Sequence, residues 1–276
     1  MRINLSRIGK AIAPLAVIAL GLGLSACDGK VTINGEEGKK LAELDLSGPA
    51  PTEIALFGPD EVRVVKGDKL AIAVEADDET KEQLRFSLKD GTLGIMRGDK
   101  LFGSTSKIAI VTVTMPDPKE VVMGGSGKIV TGALDPDAKV TVLGSGTIES
   151  GGLTSKALDL NILGSGSYKA SGTVSALDVT VLGSGQVQLD SLKADKVEVE
   201  VMGSGSTSLA SDGTVSAKIM GSGNVSVKGQ AKCTVSAMGS GTLTCESGPA
   251  TVVNDDDKAA PAAPEAPEAP EAPKAP

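Results

Sequence analysis

The sequence predicts an all-β fold, a single-chain parallel β-helix or solenoid, and three observations carry that prediction. The tripeptide Gly-Ser-Gly begins at Gly125, Gly144, Gly164, Gly183, Gly203, Gly221 and Gly239, in steps of 18 to 20 residues, and self-similarity at such a period marks stacked repeats. Apolar residues alternate on both sides of each tripeptide, the period of a half-buried strand. Composition suits a narrow coil, with 35 Gly among 276 residues, three Phe, one Tyr and no Trp.

The chain opens on an address. Arg2, Arg7 and Lys10 precede an apolar run from Ala11 to Leu24, the n-region and h-region of a secretory signal, and too short to span a membrane comfortably. It ends in Leu24-Ser25-Ala26-Cys27, which resembles the lipobox of bacterial lipoproteins. The resemblance implies cleavage of residues 1–26 and acylation of Cys27. Asp28 in second place resembles the inner-membrane retention signal of enteric bacteria, while the choice among inner membrane, outer membrane and cell surface stays open. Without the leader, 24 basic residues face 35 acidic ones. So acidic a body has no basic patch for anionic lipid, and acyl chains must hold it to the membrane. Residues 27–51 read as the lipidated terminus and a polar tether.

Residues 52–254 form the predicted β-solenoid. Its first part is strand-rich but irregular, with runs Glu61–Val65, Lys69–Val74, Gln83–Leu88 and Lys107–Val113 separated by turn signals such as Lys89-Asp90-Gly91. Three of the four aromatics lie here, as expected of a broader first section or cap, which solenoids need. Each later repeat reads strand, Gly-Ser-Gly corner, strand. Counting from the first Gly, offsets −6, −4 and −2 and offsets +4 and +6 are the inward columns. The span from −6 to +6 is constant, so all length variation falls in the connections, whose steps from +6 to the next −6 are 7, 8, 7, 8, 6 and 6 positions. Coils that stack in register tolerate such change in one arm. Pro136 is the single proline between residues 119 and 248, as a ladder using every N–H requires. Gly is expected at the corners because it takes φ > 0 without penalty.

From Asp255 to Pro276 an acidic triplet gives way to Ala-Pro-Glu units with Pro every third residue from Pro261. That period matches polyproline II, and residues 255–276 read as a disordered tail or spacer. Cys233 and Cys245 occupy inward columns of the last coil, where they are either a disulfide closing a coil without a further neighbour or two small buried hydrophobes.

Composition excludes much chemistry. Without His there is no Ser-His-Asp or Cys-His pair and no His-containing zinc site. A formal charge of −8 and the scarcity of aromatics argue against nucleic acid as a partner. Gly124-Gly125-Ser126-Gly127-Lys128 lacks the spacing of a phosphate-binding loop, and no cofactor or metal is expected. Arg97-Gly98-Asp99 spells an integrin-type tripeptide, although Gly-Asp is ordinary turn chemistry.

The outward columns bear on function. Before the corner, Asp159, Asp178 and Glu198 stack at offset −5, an acidic stripe compatible in spacing with a glycosidase pair or a cation site, and equally with a solvated face whose Lys139 and Lys218 sit one rung from Asp159 and Glu200. Nothing in the pattern deepens the stripe into a pocket. After the corner, Thr147, Ser167, Gln186, Ser206, Asn224 and Thr242 at +3, with Gln188, Ser208, Ser226 and Thr244 at +5, make a flat hydroxyl and amide face suited to a polysaccharide or another envelope protein.

From Asp60 onward, the stretches Val74-Glu-Ala-Asp-Asp-Glu79, Asp90-Gly-Thr-Leu-Gly-Ile95 and Val111-Thr-Val-Thr-Met-Pro-Asp-Pro-Lys-Glu-Val121, followed by the repeats, resemble the family described as "putative auto-transporter adhesin, head GIN domain", over about residues 52–250. The resemblance implies an all-β, single-chain β-helix and an adhesin-like role. The expectation is a non-enzymatic, lipid-anchored envelope protein with the +3/+5 face as its contact surface. The alternatives are a polysaccharide-active β-helix enzyme using the acidic stripe, and a structural or envelope-sensing module.

Overall fold

A computed structural model describes residues 32–33, 36–98 and 107–252. A two-residue antiparallel pair, β1 (Thr32–Ile33) and β2 (Glu36–Glu37), precedes a 3-10 turn at Leu41–Glu43. The body begins with β3 (Glu53–Gly58), β4 (Glu61–Lys66), β5 (Ala71–Glu75), helix α1 (Asp78–Gln83), β6 (Leu84–Lys89), β7 (Thr92–Arg97) and β8 (Ile110–Met115). The first Gly-Ser-Gly coil is β9 (Glu120–Gly125) and β10 (Lys128–Thr131). Then follow β11 (Asp137–Gly144), β12 (Thr147–Gly164), β13 (Ser167–Gly183), β14 (Gln186–Gly203), β15 (Ser206–Gly221), β16 (Asn224–Lys228), β17 (Lys232–Gly239), β18 (Thr242–Cys245) and β19 (Thr251–Val252).

From β9 onward the coils stack as parallel ladders in the expected register. Val140 meets Leu160, Leu160 meets Val179, Val179 meets Val199, and Val199 meets Ala217. The inward columns form one continuous core, each buried aliphatic contributing roughly 1.5–3 kcal/mol. Tyr168 lies wholly inside this core, and burial pushes its hydroxyl up to about 12.

The connections are more than links. β12, β13, β14 and β15 run unbroken from one corner to the next, so the residues between offset +6 and the next −6 are ladder-paired as well, with Leu153, Val174, Leu192 and Ala194 buried inside. Register breaks at Ser150/Leu153, Lys169/Ser171 and Leu189/Lys193 absorb the length differences.

The two corner glycines serve different ends. The first has positive φ in every coil, from +105° at Gly144 to +125° at Gly203. The third does not; a Cβ on Gly185 would lie 2.5 Å from Ile162 Cγ2 and 3.1 Å from the Gly166 carbonyl oxygen. Coil stacking, rather than conformation, excludes a side chain there.

The N-terminal section supplies two further rungs laid down out of sequence order. β3 pairs β9 on one side and β7 on the other, all parallel, and β4 likewise lies between β10 and β8. Its corner, Gly58-Pro59-Asp60, stacks under the first Gly-Ser-Gly, Gly58 opposite Gly125. β5 and β6 then pair antiparallel with β8 and β7 and, with α1, form the expected cap. Helix α1 starts where the Asp77 carboxylate accepts from the Thr80 N–H at 2.8 Å, a standard N-cap. Ahead of β3, Lys39 pairs with Phe86, and Leu41 and Leu44 pack on the core, because these leucines give an otherwise polar stretch something to bury.

A buried ion pair locks this section. Arg97 donates to both Asp60 oxygens, Nε at 2.6 Å and Nη2 at 2.5 Å, and to the Gln83 side-chain oxygen and the Lys107 carbonyl, while the Ala109 N–H donates to Asp60. Both side chains are almost wholly buried, so Arg97 is not available to a partner as part of an integrin-type tripeptide.

Candidate functional site

The corner divides each coil's exterior into two faces. On the face before it, Asp159, Asp178 and Glu198 are register partners. The column is longer than the repeats alone suggest: Glu120 pairs with Lys139 and with Glu53. Gly58 thus behaves as a corner, and Glu53 stands five residues before it. The Asn161 amide donates to Asp159 at 2.8 Å, and Lys196 reaches Glu198 at 2.9 Å. Lys139 and Lys218 stand opposite Asp159 and Glu200 as expected, but among the described residues neither couple closes to an ion pair. Burial, then Glu198 and Asp159, raises the Asp178 carboxyl; burial, then Glu53, raises Glu120.

An open depression of about 340 Å³ lies over Asp178, Thr180, Glu198, Glu200, Ser216 and Lys218. Among the described residues, no three His, Cys, Asp or Glu side chains converge to hold a metal ion.

On the face after the corner, Thr147, Ser167, Gln186, Ser206, Asn224 and Thr242 stand in register, as do Gln188, Ser208, Ser226 and Thr244. Some of its hydrogen-bonding capacity is spent internally. Thr147 and Ser167 hydroxyls are 2.9 Å apart, Thr242 donates to Asn224 at 2.8 Å, and Ser208 donates to Asp190 at 2.6 Å. Gln186, Ser206, Ser226 and Thr244 stay exposed. The far margin holds an open depression of about 420 Å³ lined by Glu149, Lys169, Ser171, Gln188, Asp190 and Ser191.

One feature escaped the reading of offsets −5 and −3. At offset −1, immediately before the corner, Leu143, Leu163, Leu182, Met202, Met220 and Met238 stack in register on the outside. The column starts as a small closed cluster, in which the Phe57 ring lies over Gly124 against Met96, Val122 and Leu143. It then opens, reaching 38% exposure at Leu163 and 66% at Met238. The signal was in the sequence, since an odd offset filled with Leu and Met breaks the alternation. Together with the serines and the +3 column, this ridge makes a band from offset −1 to +3 without a charged residue through six coils, about 24 Å at ~4.8 Å per rung.

Cys233 and Cys245 form a disulfide with Cα atoms 6.7 Å apart. Cys27 and residues 255–276 lie outside the described residues, as does Asp99. No described helix is long and apolar enough to cross a membrane.

The fold has solved counterparts. A "putative adhesin" of Bacteroides fragilis is 20% identical with a TM-score of 0.63, over 71% of this chain and 92% of that one. A "putative lipid binding protein" of Parabacteroides distasonis is 22% identical with a TM-score of 0.57, over 71% and 93%. A "putative adhesin" of Parabacteroides merdae is 19% identical with a TM-score of 0.52, over 71% and 92%. No functionally curated protein matches the chain. The family described as "Putative auto-transporter adhesin, head GIN domain" matches residues 50–231, more than half of the chain, and the protein belongs to that family.

Proposed function

We propose that the protein is a non-enzymatic cell-envelope lipoprotein, held by acyl chains on Cys27, that binds an uncharged envelope polymer or another envelope protein through the face after the corner. The observation that carries this reading is the charge-free band. In a chain that is 22% charged, six successive coils present Leu or Met, Gly, Ser, Gly and then Thr, Ser, Gln or Asn with no ion among them. Repetition at rung spacing suits a repeating or extended partner, hydroxyls and amides supplying hydrogen bonds and the ridge supplying apolar contact. The similar structures, described as a "putative adhesin" and a "putative lipid binding protein", agree with a binding role, and the ridge is where an apolar ligand would lie.

The test is binding of the full chain to a panel of purified envelope polysaccharides. The double variant Ser206→Asp with Asn224→Asp is expected to weaken retention about tenfold, a buried unpaired charge costing 1.4 kcal/mol or more, with Asp178→Asn unaffected. A second reading, polysaccharide cleavage at the acidic stripe, is favoured by the raised Asp178 carboxyl above its depression. Glycan cleavage by the parent chain, lost in Asp178→Asn, would replace the first reading with the second. Mass spectrometry of the mature N-terminus tests the acylation of Cys27.

A further inference from the structure

The exposed ridge at offset −1 changes residue type halfway along. Leu143, Leu163 and Leu182 occupy it in three coils, and Met202, Met220 and Met238 in the three that follow. The methionines are successive register partners, Met202 opposite Met220 and Met220 opposite Met238. The ladder thus sets three thioether side chains on adjacent rungs, roughly 10 Å from first to last at ~4.8 Å per rung. Met202 and Met220 are half-buried, and Met238 is 66% exposed.

Apolar contact does not account for the change. Leu and Met exchange at nearly constant volume, so a ridge that only buried hydrocarbon would be served as well by leucine, as it is in the three preceding coils. Elsewhere among the described residues methionine is a core residue: Met96, Met115 and Met123 are at most 1% exposed. What Met202, Met220 and Met238 add is polarisable sulfur at the surface, carried on three rotatable bonds. That freedom lets the outer two side chains lean toward the middle rung. Neutral thioethers hold soft ions such as copper(I), whereas calcium and magnesium take oxygen ligands. The surroundings do not oppose a cation. Glu200 and Lys218 precede Met202 and Met220 by two residues on the same face and stand opposite each other, so their charges offset. Ser236 holds the equivalent place before Met238, and the chain as a whole carries a formal charge of −8.

We propose that Met202, Met220 and Met238 form a surface site for one soft monovalent metal ion, copper(I) or silver(I), held by the three sulfurs. The site does not depend on polymer binding, because the hydroxyl and amide columns take no part in it.

Silver nitrate titrated into the full chain in chloride-free buffer, followed at the methionine methyl groups by NMR, tests this; silver held at a cysteine thiol leaves those signals in place. The expected result is that the methyls of Met202, Met220 and Met238 shift together along one saturation curve while those of Met96, Met115 and Met123 stay fixed. Met220→Leu keeps the ridge apolar and removes the middle sulfur. It should weaken the binding read at Met202 and Met238 at least about tenfold, with the core methyls unchanged as the control for folding. Absence of the shifts, three independent curves in the parent chain, or an unaltered curve in Met220→Leu overturns the proposal and leaves the ridge as an apolar contact surface.

Discussion

The N-terminal section and the repeats stack the same parallel rungs but are held by different means. In β3 to β8 the order of the rungs departs from chain order, the corner is Gly58-Pro59-Asp60, and one buried ion pair ties β7 to that corner and to the strand entry at Ala109. In β9 to β18 each coil repeats its neighbour, and the Cys233–Cys245 bridge of the last coil is the exception. Singular contacts make a region sensitive to single substitutions; replicated contacts spread the load over neighbours.

The strongest way to sharpen that contrast is Asp60→Asn. It leaves the Arg97 guanidinium buried with its charge uncompensated, and removing one partner of such a pair costs about 3–5 kcal/mol. Denaturant unfolding should register this as a lower midpoint; a loss under about 1 kcal/mol would mean that the pair is no more than a surface contact. Gly203→Ala probes the repeats. It places a side chain at φ +125° with a Cβ 2.4 Å from the Gly183 carbonyl oxygen, for about 2–4 kcal/mol of strain and overpacking. Exchange should quicken chiefly in β13 to β15, and loosening at the N-terminal cap instead would break the picture of local coupling.

Cys245→Ser tests the last coil, where the bridge closes a separation of 12 residues. The expected loss is about 2–3 kcal/mol, matched by reductant acting on the parent chain. The smallest effect belongs to Asp178→Asn. Folding raises this carboxyl above 3.8, so the folded state favours the protonated form, and ionisation costs stability at neutral pH. That cost fades as pH falls through the folded value toward 3.8. The Asn variant should therefore gain roughly 1–3 °C in melting temperature at pH 7, with the gain vanishing below about pH 4. A loss at pH 7 would show that the carboxylate is used structurally.

The repeats were legible because a solenoid writes its geometry into sequence: glycine at the corner, alternation on both arms, variation confined to one segment. Gly185 and its equivalents were legible as corners but not for the right reason, since the clash with Ile162 belongs to the next coil down, which no local pattern displays. The crossing order of β3, β7 and β9 was hidden, because β-propensity says that a run such as Ile54-Ala55-Leu56-Phe57 forms a strand and not which strand it meets. Glu53 and Glu120 were missed as members of the acidic column for the same reason. Leu163 and Met202 were in plain view at offset −1, but alternation counts the inward columns and passes over apolar residues outside them.

That ridge and the +3 column border one charge-free band, and the claim that this band is the contact surface meets its most direct test in a single titration. Binding of the full chain to purified envelope polysaccharide should fall about tenfold, 1.4 kcal/mol, when Ser206 and Asn224 both become Asp, and should be unmoved by Asp178→Asn. Unchanged binding in the double variant, with binding or cleavage lost in Asp178→Asn, would contradict the account and move the site across the corner to the acidic face.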